Sequence, residues 1–183
     1  MQALPTELPG VLILEPKVFG DERGFFMESF NAREFAKLTG CTKAFVQDNH
    51  SRSARHVLRG LHYQLAPMAQ DKLVRVVAGE ILDVAVDVLR GSPTFGRCAT
   101  VRLSADNKRQ MWIPAGHAHG FLALSEAAEV QYKVTQYHSP QHERSIRWDD
   151  PALGISWDVA EPVLSGKDRA APLLAGAELD ARQ

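Results

Sequence analysis

The amino-acid sequence predicts an antiparallel β-sandwich or barrel. Short stretches of strand-forming residues recur along the chain, and turns rich in Gly, Pro, Asn and Asp separate them at regular intervals. Clear helix signals are rare. Because the sequence contains no internal repeat, linker or low-complexity tract, we expect a single domain over residues 1–183, an ordinary length for one all-β domain.

One short helix is predicted among the first strands. Residues 11–14 form the first predicted strand, and residues 25–30 form the second, after a polar, Gly-bounded turn. Asn31 is a favourable N-cap residue, and Glu34 follows it by three positions, which is the pattern of a capped helix start. Gly40 then ends the predicted helix.

From Ala44 onwards the sequence predicts mostly strands. The predicted strands cover residues 45–50, 58–64, 72–78, 81–89, 97–103, 110–114, 121–124 and 129–137. Residues 51–56 are predicted to form a polar loop, and residues 116–120 a tight loop. From Ser139 the tail is richer in Pro, Asp and Trp, so we expect ordered loops with short helical turns there.

The composition limits the classes of partner. With 21 Lys and Arg residues against 22 Asp and Glu residues, the formal net charge is -1, so no global basic field would attract nucleic acid or an anionic membrane. No apolar run approaches membrane-spanning length, and the N-terminus does not resemble a signal peptide. Cys41 and Cys98 suggest neither a disulfide framework nor a zinc motif. We therefore expect a cytoplasmic protein with no nucleic-acid or membrane partner.

Residues 58–64 place two reactive side chains in an otherwise apolar strand. Arg59 offers a planar fork for phosphate, and His62 is the side-chain type best suited to moving protons near neutral pH. Strict alternation would put them on opposite faces, so they converge on one site only if Gly60 disrupts the pleat. We interpret this segment as one wall of an active site. A histidine held for packing is the alternative.

Two more polar side chains are predicted to face the interior. Lys72 shares a strand face with Val74 and Val76, so its ammonium group would need a partner or an anionic ligand. Tyr132 lies between two inward valines in the last predicted strand. The alternatives are a lysine that reaches solvent from the end of its strand and a core tyrosine with a satisfied hydroxyl.

His62 needs an orienting partner, because a catalytic imidazole usually has its second nitrogen held by a carboxylate or carbonyl. The polar cluster at residues 164–168 makes Asp168 one candidate. Spacing alone does not separate it from the competing carboxylates, which are Asp83, Asp87, Asp149 and Asp150.

The region before the predicted helix also contains candidate ligand groups. Alternation puts Phe26, Glu28 and Phe30 on one face, and a carboxylate between two aromatic rings is more typical of a pocket wall than of a core. Arg23 and Arg59 could bind a diphosphate, although either could be a plain surface charge.

Residues 114–119 resemble the second half of a cupin signature, in which the last histidine, here His119, can ligate a metal. The first half normally supplies two histidines two residues apart, but here His62 is followed by Gln64, a poorer ligand. The ligand set is incomplete, so we predict no bound metal. A site of His62, His119 and a carboxylate is the alternative.

Seven segments together resemble the dTDP-4-dehydrorhamnose 3,5-epimerase family. In chain order they are GDERGFF (20–26), VLRGLHYQ (57–64), KLVRV (72–76), GSPTFG (91–96), IPAGHAHGF (113–121), WDDP (148–151) and LSGKD (164–168). The similarity runs in order from about Val11 to Leu174, nearly the whole chain. His138 departs from it, because a second aromatic residue frequently follows the position of Tyr137.

The resemblance implies a cupin-type jelly-roll homodimer that inverts C3 and C5 of a dTDP-4-keto-6-deoxy sugar without cofactor or metal. His62 would be the general base, with Asp168 as its partner. Tyr132 would be the acid on the opposite sugar face, and Lys72 would stabilise the enolate oxygen. The positions expected to bind the dTDP-sugar are Arg23, Glu28, Gln47, Asn49, Arg59, His119, Glu143 and Lys167.

The chemistry of epimerisation supports this interpretation independently. Inversion beside a ketone needs a base for the carbon-bound proton, a donor for the developing enolate oxygen and an acid on the other face. His62, Lys72 and Tyr132 suit these tasks. The alternatives are a relative that inverts only C3, a metal-dependent cupin enzyme and a non-catalytic sugar-binding jelly roll.

Overall fold

The computed structural model describes residues 1–181, and its strands form two antiparallel sheets that pack face to face. The larger sheet has six strands in the order β1 (Gln2–Pro5), β2 (Leu12–Glu15), β10 (Gln110–Ile113), β7 (Lys72–Ala78), β12 (Ala127–Val134) and β5 (Gln47–Ala54). The smaller sheet has the order β13 (Glu143–Ser145), β6 (Leu58–Gln64), β11 (His117–Ala123), β8 (Glu80–Asp87) and β9 (Cys98–Ser104). The antiparallel sandwich predicted from the sequence is therefore confirmed.

The other elements lie outside these sheets. Strands β3 (Val18–Asp21) and β4 (Gly24–Met27) form a separate hairpin, and the helices are α1 (Ala32–Thr39), α2 (Gly166–Arg169) and a 3₁₀ turn (Leu174–Gly176). No helix among residues 1–181 is long and apolar enough to cross a membrane. Of the domain predicted over residues 1–183, residues 182–183 lie outside the described part.

Three apolar clusters hold the sheets in place. The main core fills the space between them, where Val74 and Met111 of the larger sheet pack with Ile81 and Leu103 of the smaller. The C-terminal tail covers the outer face of the smaller sheet. Helix α1 covers part of the outer face of the larger sheet through the buried Phe35. Polar side chains that point between the sheets therefore lie next to a tightly packed interior.

Helix α1 forms as the sequence predicts. The Asn31 side chain accepts the backbone amides of Arg33 and Glu34 at 3.1 and 3.2 Å, which satisfies two of the unpaired donors at the helix start. Gly40 adopts φ 73° at the C-cap, a left-handed conformation that glycine takes without steric cost.

Gly60 disrupts the pleat of β6 as the sequence analysis required. In the pairing with β11, His119 lies opposite His62 but Phe121 lies opposite Arg59, so β6 contains one extra residue between the two pairs. Gly60 has φ 124°, and a Cβ atom there would lie 2.5 Å from Cα of Gly120. Because of this bulge, the side chains of Arg59 and His62 both reach the space between the sheets.

Two predicted loops are wrong for the same physical reason. Most of the loop predicted at residues 51–56 belongs to β5, and the tight loop predicted at residues 116–120 is the start of β11. Some of the inward side chains of these strands line a polar cavity instead of the apolar core. Polar residues therefore replace the alternating apolar residues by which a strand is normally predicted.

The strand predicted at residues 25–30 is shorter than expected, since β4 ends at Met27. Phe30 packs instead against Phe35 and Phe45, with ring centroids 5.7 and 5.3 Å away. The predicted face of Phe26, Glu28 and Phe30 is therefore wrong. The short strands β1, β3 and β13 carried no signal that the sequence analysis used.

Candidate active site

A cavity of about 490 Å³ lies between the two sheets and is closed on one side by α2. Its volume is typical of small-molecule sites. Ten of the twelve residues that the sequence singled out line it, namely Gln47, Asn49, Arg59, His62, Lys72, His119, Tyr132, Glu143, Lys167 and Asp168. The fold thus brings together side chains that are up to 121 positions apart in the sequence, from Gln47 to Asp168.

Strand β6 presents His62 to the cavity, and α2 supplies its partner. Nε2 of His62 lies 2.5 Å from Oδ1 of Asp168, so Asp168 is the carboxylate that pairs with this ring. Ser165, the N-cap of α2, donates to Oδ2 of Asp168 at 2.8 Å. Burial alone would raise the pKa of Asp168, but the bonds from His62, Ser165 and the Gly60 amide lower it. The ionised carboxylate holds the proton on Nε2, which leaves Nδ1 as the basic atom of His62.

Lys72 lies in β7, buried next to this histidine. Its Nζ donates to the backbone carbonyl of His62 at 3.2 Å, and the residue is 7% exposed. Burial lowers the pKa of Lys72 to about 8, although the charges of Asp83 and Glu143 act in the opposite direction. At neutral pH the amine is therefore mainly an ammonium group with donors to spare. It is suited to stabilising an oxyanion in the cavity.

His119 forms a second histidine–carboxylate pair in the cavity wall. Its Nε2 lies 2.7 Å from Oδ1 of Asp83, and both side chains are buried. Burial lowers the pKa of His119 by more than the neighbouring carboxylate raises it. The ring is therefore neutral near pH 7, and Asp83 pairs with His119 and not with His62.

Tyr132 reaches the cavity from β12, which belongs to the sheet opposite the one that carries His62. Burial raises the pKa of the Tyr132 phenol, Glu143 raises it further, and Arg59 opposes them. The hydroxyl consequently stays protonated near neutral pH. A basic imidazole and a protonated phenol thus stand on opposite walls of one cavity.

Charged side chains meet near α2. Nζ of Lys167 lies 2.5 Å from Oε2 of Glu143, and Nε2 of His138 lies 3.5 Å from the same oxygen. Burial would raise the pKa of Glu143, but these contacts, with Lys167 foremost, lower it. Glu143 is therefore ionised and forms an ion pair with Lys167.

Residues of β5 and β6 complete the polar lining. Arg59 donates through Nε to Oγ of Ser53 at 3.0 Å, which fixes the stem of the guanidinium group. Nε2 of Gln47 donates to Oδ1 of Asn49 at 2.8 Å. The side-chain oxygen Oε1 of Gln47 accepts a hydrogen bond from the backbone amide of His138 at 3.0 Å. The cavity therefore offers amide and guanidinium groups to a polar ligand.

Arg23 and Glu28 do not line this cavity. Arg23 lies in the turn of the β3–β4 hairpin, where it pairs with Asp21, and Glu28 follows the hairpin and accepts a bond from Asn31 at 3.2 Å. The hairpin exposes four large apolar side chains, those of Val18, Phe19, Phe25 and Phe26. Within one chain, these two predicted ligand-binding residues are separate from the other ten.

Gln64 holds a loop in place. Its Nε2 donates to the carbonyl groups of Met68 and Tyr137 at 2.6 and 3.2 Å, and its Oε1 accepts the amide of Ser139 at 2.7 Å.

In the described part of the chain, no group of three or more His, Cys, Asp or Glu side chains is arranged to hold a metal ion.

The roles of Ser165 and Asp83 were not predicted from the sequence. A signal for Ser165 existed, because a serine three positions before an acidic residue is a common start of a helix. Its Oγ accepts the amide of Asp168 at 3.1 Å. Asp83 was considered only as a candidate partner for His62, and no spacing rule could say which histidine it would meet.

Known proteins share this sequence over nearly its whole length. The family model described as dTDP-4-dehydrorhamnose 3,5-epimerase matches residues 5–176. The chain is 59% identical over 175 residues to the dTDP-4-dehydrorhamnose 3,5-epimerase of Salmonella typhimurium, covering 95% of this chain and 96% of that protein. It is 58% identical over 179 residues to the protein of the same name from Pseudomonas aeruginosa, covering 97% and 98%.

Solved structures share the fold as well. The dTDP-6-deoxy-D-glucose-3,5-epimerase of Legionella pneumophila, in complex with dTDP-4-keto-L-rhamnose, superposes with a TM-score of 0.96 at 52% identity, covering 100% of this chain and 98% of that one. A 3'-monoepimerase of Streptomyces bikiniensis, in complex with dTDP-quinovose, gives 0.88 at 39% identity, covering 96% and 88%. The predicted cupin-type fold is thereby confirmed. With a family model and relatives that span nearly its full length, the chain belongs to the dTDP-4-dehydrorhamnose 3,5-epimerase family and is an isomerase.

Proposed function

We propose that this protein inverts C3 and C5 of dTDP-4-keto-6-deoxyglucose, beside the C4 ketone, and so makes the 4-keto-rhamnose precursor of dTDP-L-rhamnose. The observation that carries the proposal is that His62 and Tyr132 line opposite walls of one cavity, with the Lys72 ammonium group beside His62. Inversion at carbon needs a base and an acid on opposite faces of the sugar. The similar Legionella enzyme was crystallised with dTDP-4-keto-L-rhamnose, which would be the product of this reaction.

The proposed mechanism assigns one task to each group. Nδ1 of His62 removes the proton from C3 or C5, and the electron pair of the broken C–H bond moves towards the C4 carbonyl. Lys72 stabilises the enolate oxygen that forms. Tyr132 then donates its phenolic proton to the same carbon from the other face, and the carbonyl reforms. One proton leaves the sugar and one arrives, so its oxidation state does not change.

The rate contributions typical of such groups are consistent with this assignment of catalytic tasks. A positioned acid or base is typically worth ~100- to 10,000-fold in rate, and a preorganised oxyanion donor contributes about 3 to 4 kcal/mol. The buried Asp168 contributes indirectly, because it keeps the proton on Nε2 of His62 and stabilises the imidazolium that forms.

The nucleotide diphosphate is proposed to bind to the cations of the lining. Arg59 offers a fork that matches phosphate oxygens, and Lys167 adds a second positive charge once the ligand competes with Glu143. His119, Gln47 and Asn49 are proposed to bind the remaining polar groups of the dTDP-sugar.

Inversion of C3 alone is the second candidate. The Streptomyces bikiniensis 3'-monoepimerase has the same fold, and such an enzyme could retain His62 and Asp168 while its acid fails to reach C5. The higher identity to 3,5-epimerases, up to 59% against 39%, favours the double inversion.

We also propose that the protein is a homodimer of single-domain subunits, in which each β3–β4 hairpin completes the cavity of the partner. Phe25 and Phe26 are 58% and 70% exposed, and apolar patches of this kind mark interaction surfaces. Docking of the hairpin against a second copy would bury these rings. It would also bring Arg23 and Glu28, which do not line the cavity of their own chain, to a dTDP-sugar in the partner.

The variant His62→Asn tests catalysis separately from binding. Asn keeps a polar side chain but lacks a basic nitrogen, so we expect turnover to fall by at least about 100-fold. The Kd for a dTDP-sugar, measured by calorimetry, should change little. His56→Asn is the matched control, because His56 lies in an exposed turn at φ 65°, a conformation that Asn tolerates. Turnover in His62→Asn at the rate of the control would contradict the proposal.

A further inference from the structure

Glu143 places a negative charge in a cavity that is proposed to bind a diphosphate. Its side chain is 26% exposed, whereas that of Asp168, the other carboxylate in the cavity lining, is 4% exposed and paired with His62. A bound diphosphate would therefore lie near an accessible carboxylate of the same sign, and like charges at short range repel each other. Binding consequently requires a cation that neutralises Glu143.

Two basic side chains contact the same oxygen of Glu143. Nζ of Lys167 lies 2.5 Å from Oε2, and Nε2 of His138 lies 3.5 Å from it. Within residues 1–181, no other Lys, Arg or His side chain has a nitrogen within 4.0 Å of this carboxylate. If Lys167 turns to the diphosphate, His138 is the basic group that remains beside Glu143.

We propose that binding of the dTDP-sugar is coupled to the uptake of a proton by His138, whose imidazolium group takes the place of Lys167 beside Glu143. The inference rests on the proposed function, in which Lys167 binds the diphosphate. It assigns a role to the position at which this sequence departs from its family, where a histidine replaces the frequent aromatic residue. Phe, Tyr or Trp at this position would not gain a positive charge near neutral pH.

Hydrogen bonds hold the loop that carries His138 in place. The backbone amide of His138 donates to Oε1 of Gln47 at 3.0 Å, and the next amide, that of Ser139, donates to Oε1 of Gln64 at 2.7 Å. The imidazole therefore stays beside Glu143 when the lysine moves away. The His138 side chain is 51% exposed, so solvent can supply the proton. Histidine is the side-chain type that changes its charge near neutral pH.

The remaining charges of the cavity favour proton uptake only when the ligand is present. The cations Arg59 (β6) and Lys72 (β7) line the same cavity and disfavour a further positive charge in the ligand-free protein. A bound diphosphate offsets their charge and so stabilises an imidazolium group. The other titratable side chains of the lining are neutral or have partners of their own, and they are His50 (β5), His62 and Tyr63 (β6), His119 (β11), Tyr132 (β12) and Asp168 (α2).

Calorimetric titration with dTDP-glucose tests this inference. The sugar of this probe has no 4-keto group, so it is not epimerised, and its diphosphate has no group that titrates near neutral pH. At pH 7, in buffers of different ionisation enthalpy, binding to the wild type should take up about half a proton more per site than binding to His138→Gln. The wild-type affinity should be highest at acidic pH, where His138 carries its proton before binding, and should fall about threefold per pH unit through neutrality. The variant should lose most of this pH dependence.

His142→Gln is the matched control. His142 lies in the same loop, one position before Glu143, but its Nδ1 pairs with Oγ of Ser139 at 2.8 Å outside the cavity. Its removal should leave the proton uptake unchanged. Equal uptake in the wild type and in His138→Gln would overturn the inference. Failure of dTDP-glucose to bind to the wild type would contradict the proposed function and this inference with it, and it is recognised by the absence of a binding isotherm in every buffer.

Proton NMR identifies the group that takes up the proton. The Hε1 resonance of His138, assigned by its absence in His138→Gln, should titrate at a higher pH in the wild type saturated with dTDP-glucose than in the free protein. In Glu143→Gln, which removes the charge but keeps the shape of the side chain, this shift should be smaller. A His138 titration that the ligand leaves unchanged would overturn the inference, as would a shift of equal size in Glu143→Gln.

Discussion

His62 and His119 each share a hydrogen bond with a buried aspartate, but their surroundings differ. The side chain of His62 is 29% exposed to the cavity, whereas that of His119 is 7% exposed. The first ring is therefore open to a ligand in the cavity, as its proposed role as general base requires, and the second is held neutral in the wall. The sequence singled out His62 by its residue type and strand position, and His119 by its place in a segment that resembles a cupin signature. It could not assign their aspartates, because the pairs form between residues 106 and 36 positions apart.

Ser165 is one of three groups that hold the carboxylate of Asp168, together with His62 and the Gly60 amide. In Ser165→Ala, Asp168 loses a hydrogen bond to its carboxylate and α2 loses its N-cap. We expect kcat to fall about tenfold, equivalent to about 1.4 kcal/mol, and the free energy of unfolding to fall by about 1 kcal/mol.

Ser104→Ala provides a matched control for this prediction. Oγ of Ser104 also accepts the amide three residues ahead, that of Asn107, at 2.9 Å, but it lies outside the cavity. The control should lose similar stability in a denaturant titration and keep its kcat. An unchanged kcat in both variants would show that Ser165 only stabilises the fold.

At the scale of elements, two of the strands that line the cavity were predicted only in part, whereas β6 and β7 were predicted over their full extents. Helix α1 has the predicted extent because its caps are clear, and strand β7 has it because apolar alternation persists along the strand even though its Lys72 lines the cavity. Strand β5 was missed in part, and so was the start of β11. Their inward positions hold polar residues such as Asn49 and His119, which line the cavity. A loss of hydrophobic periodicity at a functional site is expected wherever side chains serve a ligand instead of the core.

The β3–β4 hairpin allows a direct test of the proposed dimer by mixing variants. His62→Asn has a defective cavity and an intact hairpin, and Arg23→Ala has the reverse. If each hairpin completes the partner's cavity, half of the randomly mixed dimers contain one complete site, so activity should recover to about one quarter of the wild type. The subunits would be mixed under mild denaturant, and the oligomeric state checked by light scattering.

The combination of His62→Asn with Tyr132→Phe is the control, because both changes affect the cavity and no complete site can form. It should show no recovery. If the first mixture is no more active than the sum of its two components, the hairpin does not act across a dimer interface.

At the scale of the whole molecule, the sandwich places the proposed acid and base on different sheets. His62 lies in the five-stranded sheet, and Tyr132 lies in the six-stranded sheet. Regular turns and strand alternation were sufficient to predict this fold class. They could not show how the two sheets face each other, since pairing between distant strands leaves no local signal.

Exchange of deuterium from solvent into dTDP-4-keto-6-deoxyglucose tests the central claim most directly. Each inversion replaces a carbon-bound proton with one that has equilibrated with water. Incubation of the substrate with the protein in D₂O should therefore place deuterium at both C3 and C5. Proton NMR would follow the exchange as the loss of the signals of the two carbon-bound protons. Exchange at C3 alone would contradict the double inversion and favour a 3-epimerase. Exchange at neither carbon, in folded protein that binds the nucleotide sugar, would contradict the epimerase mechanism altogether.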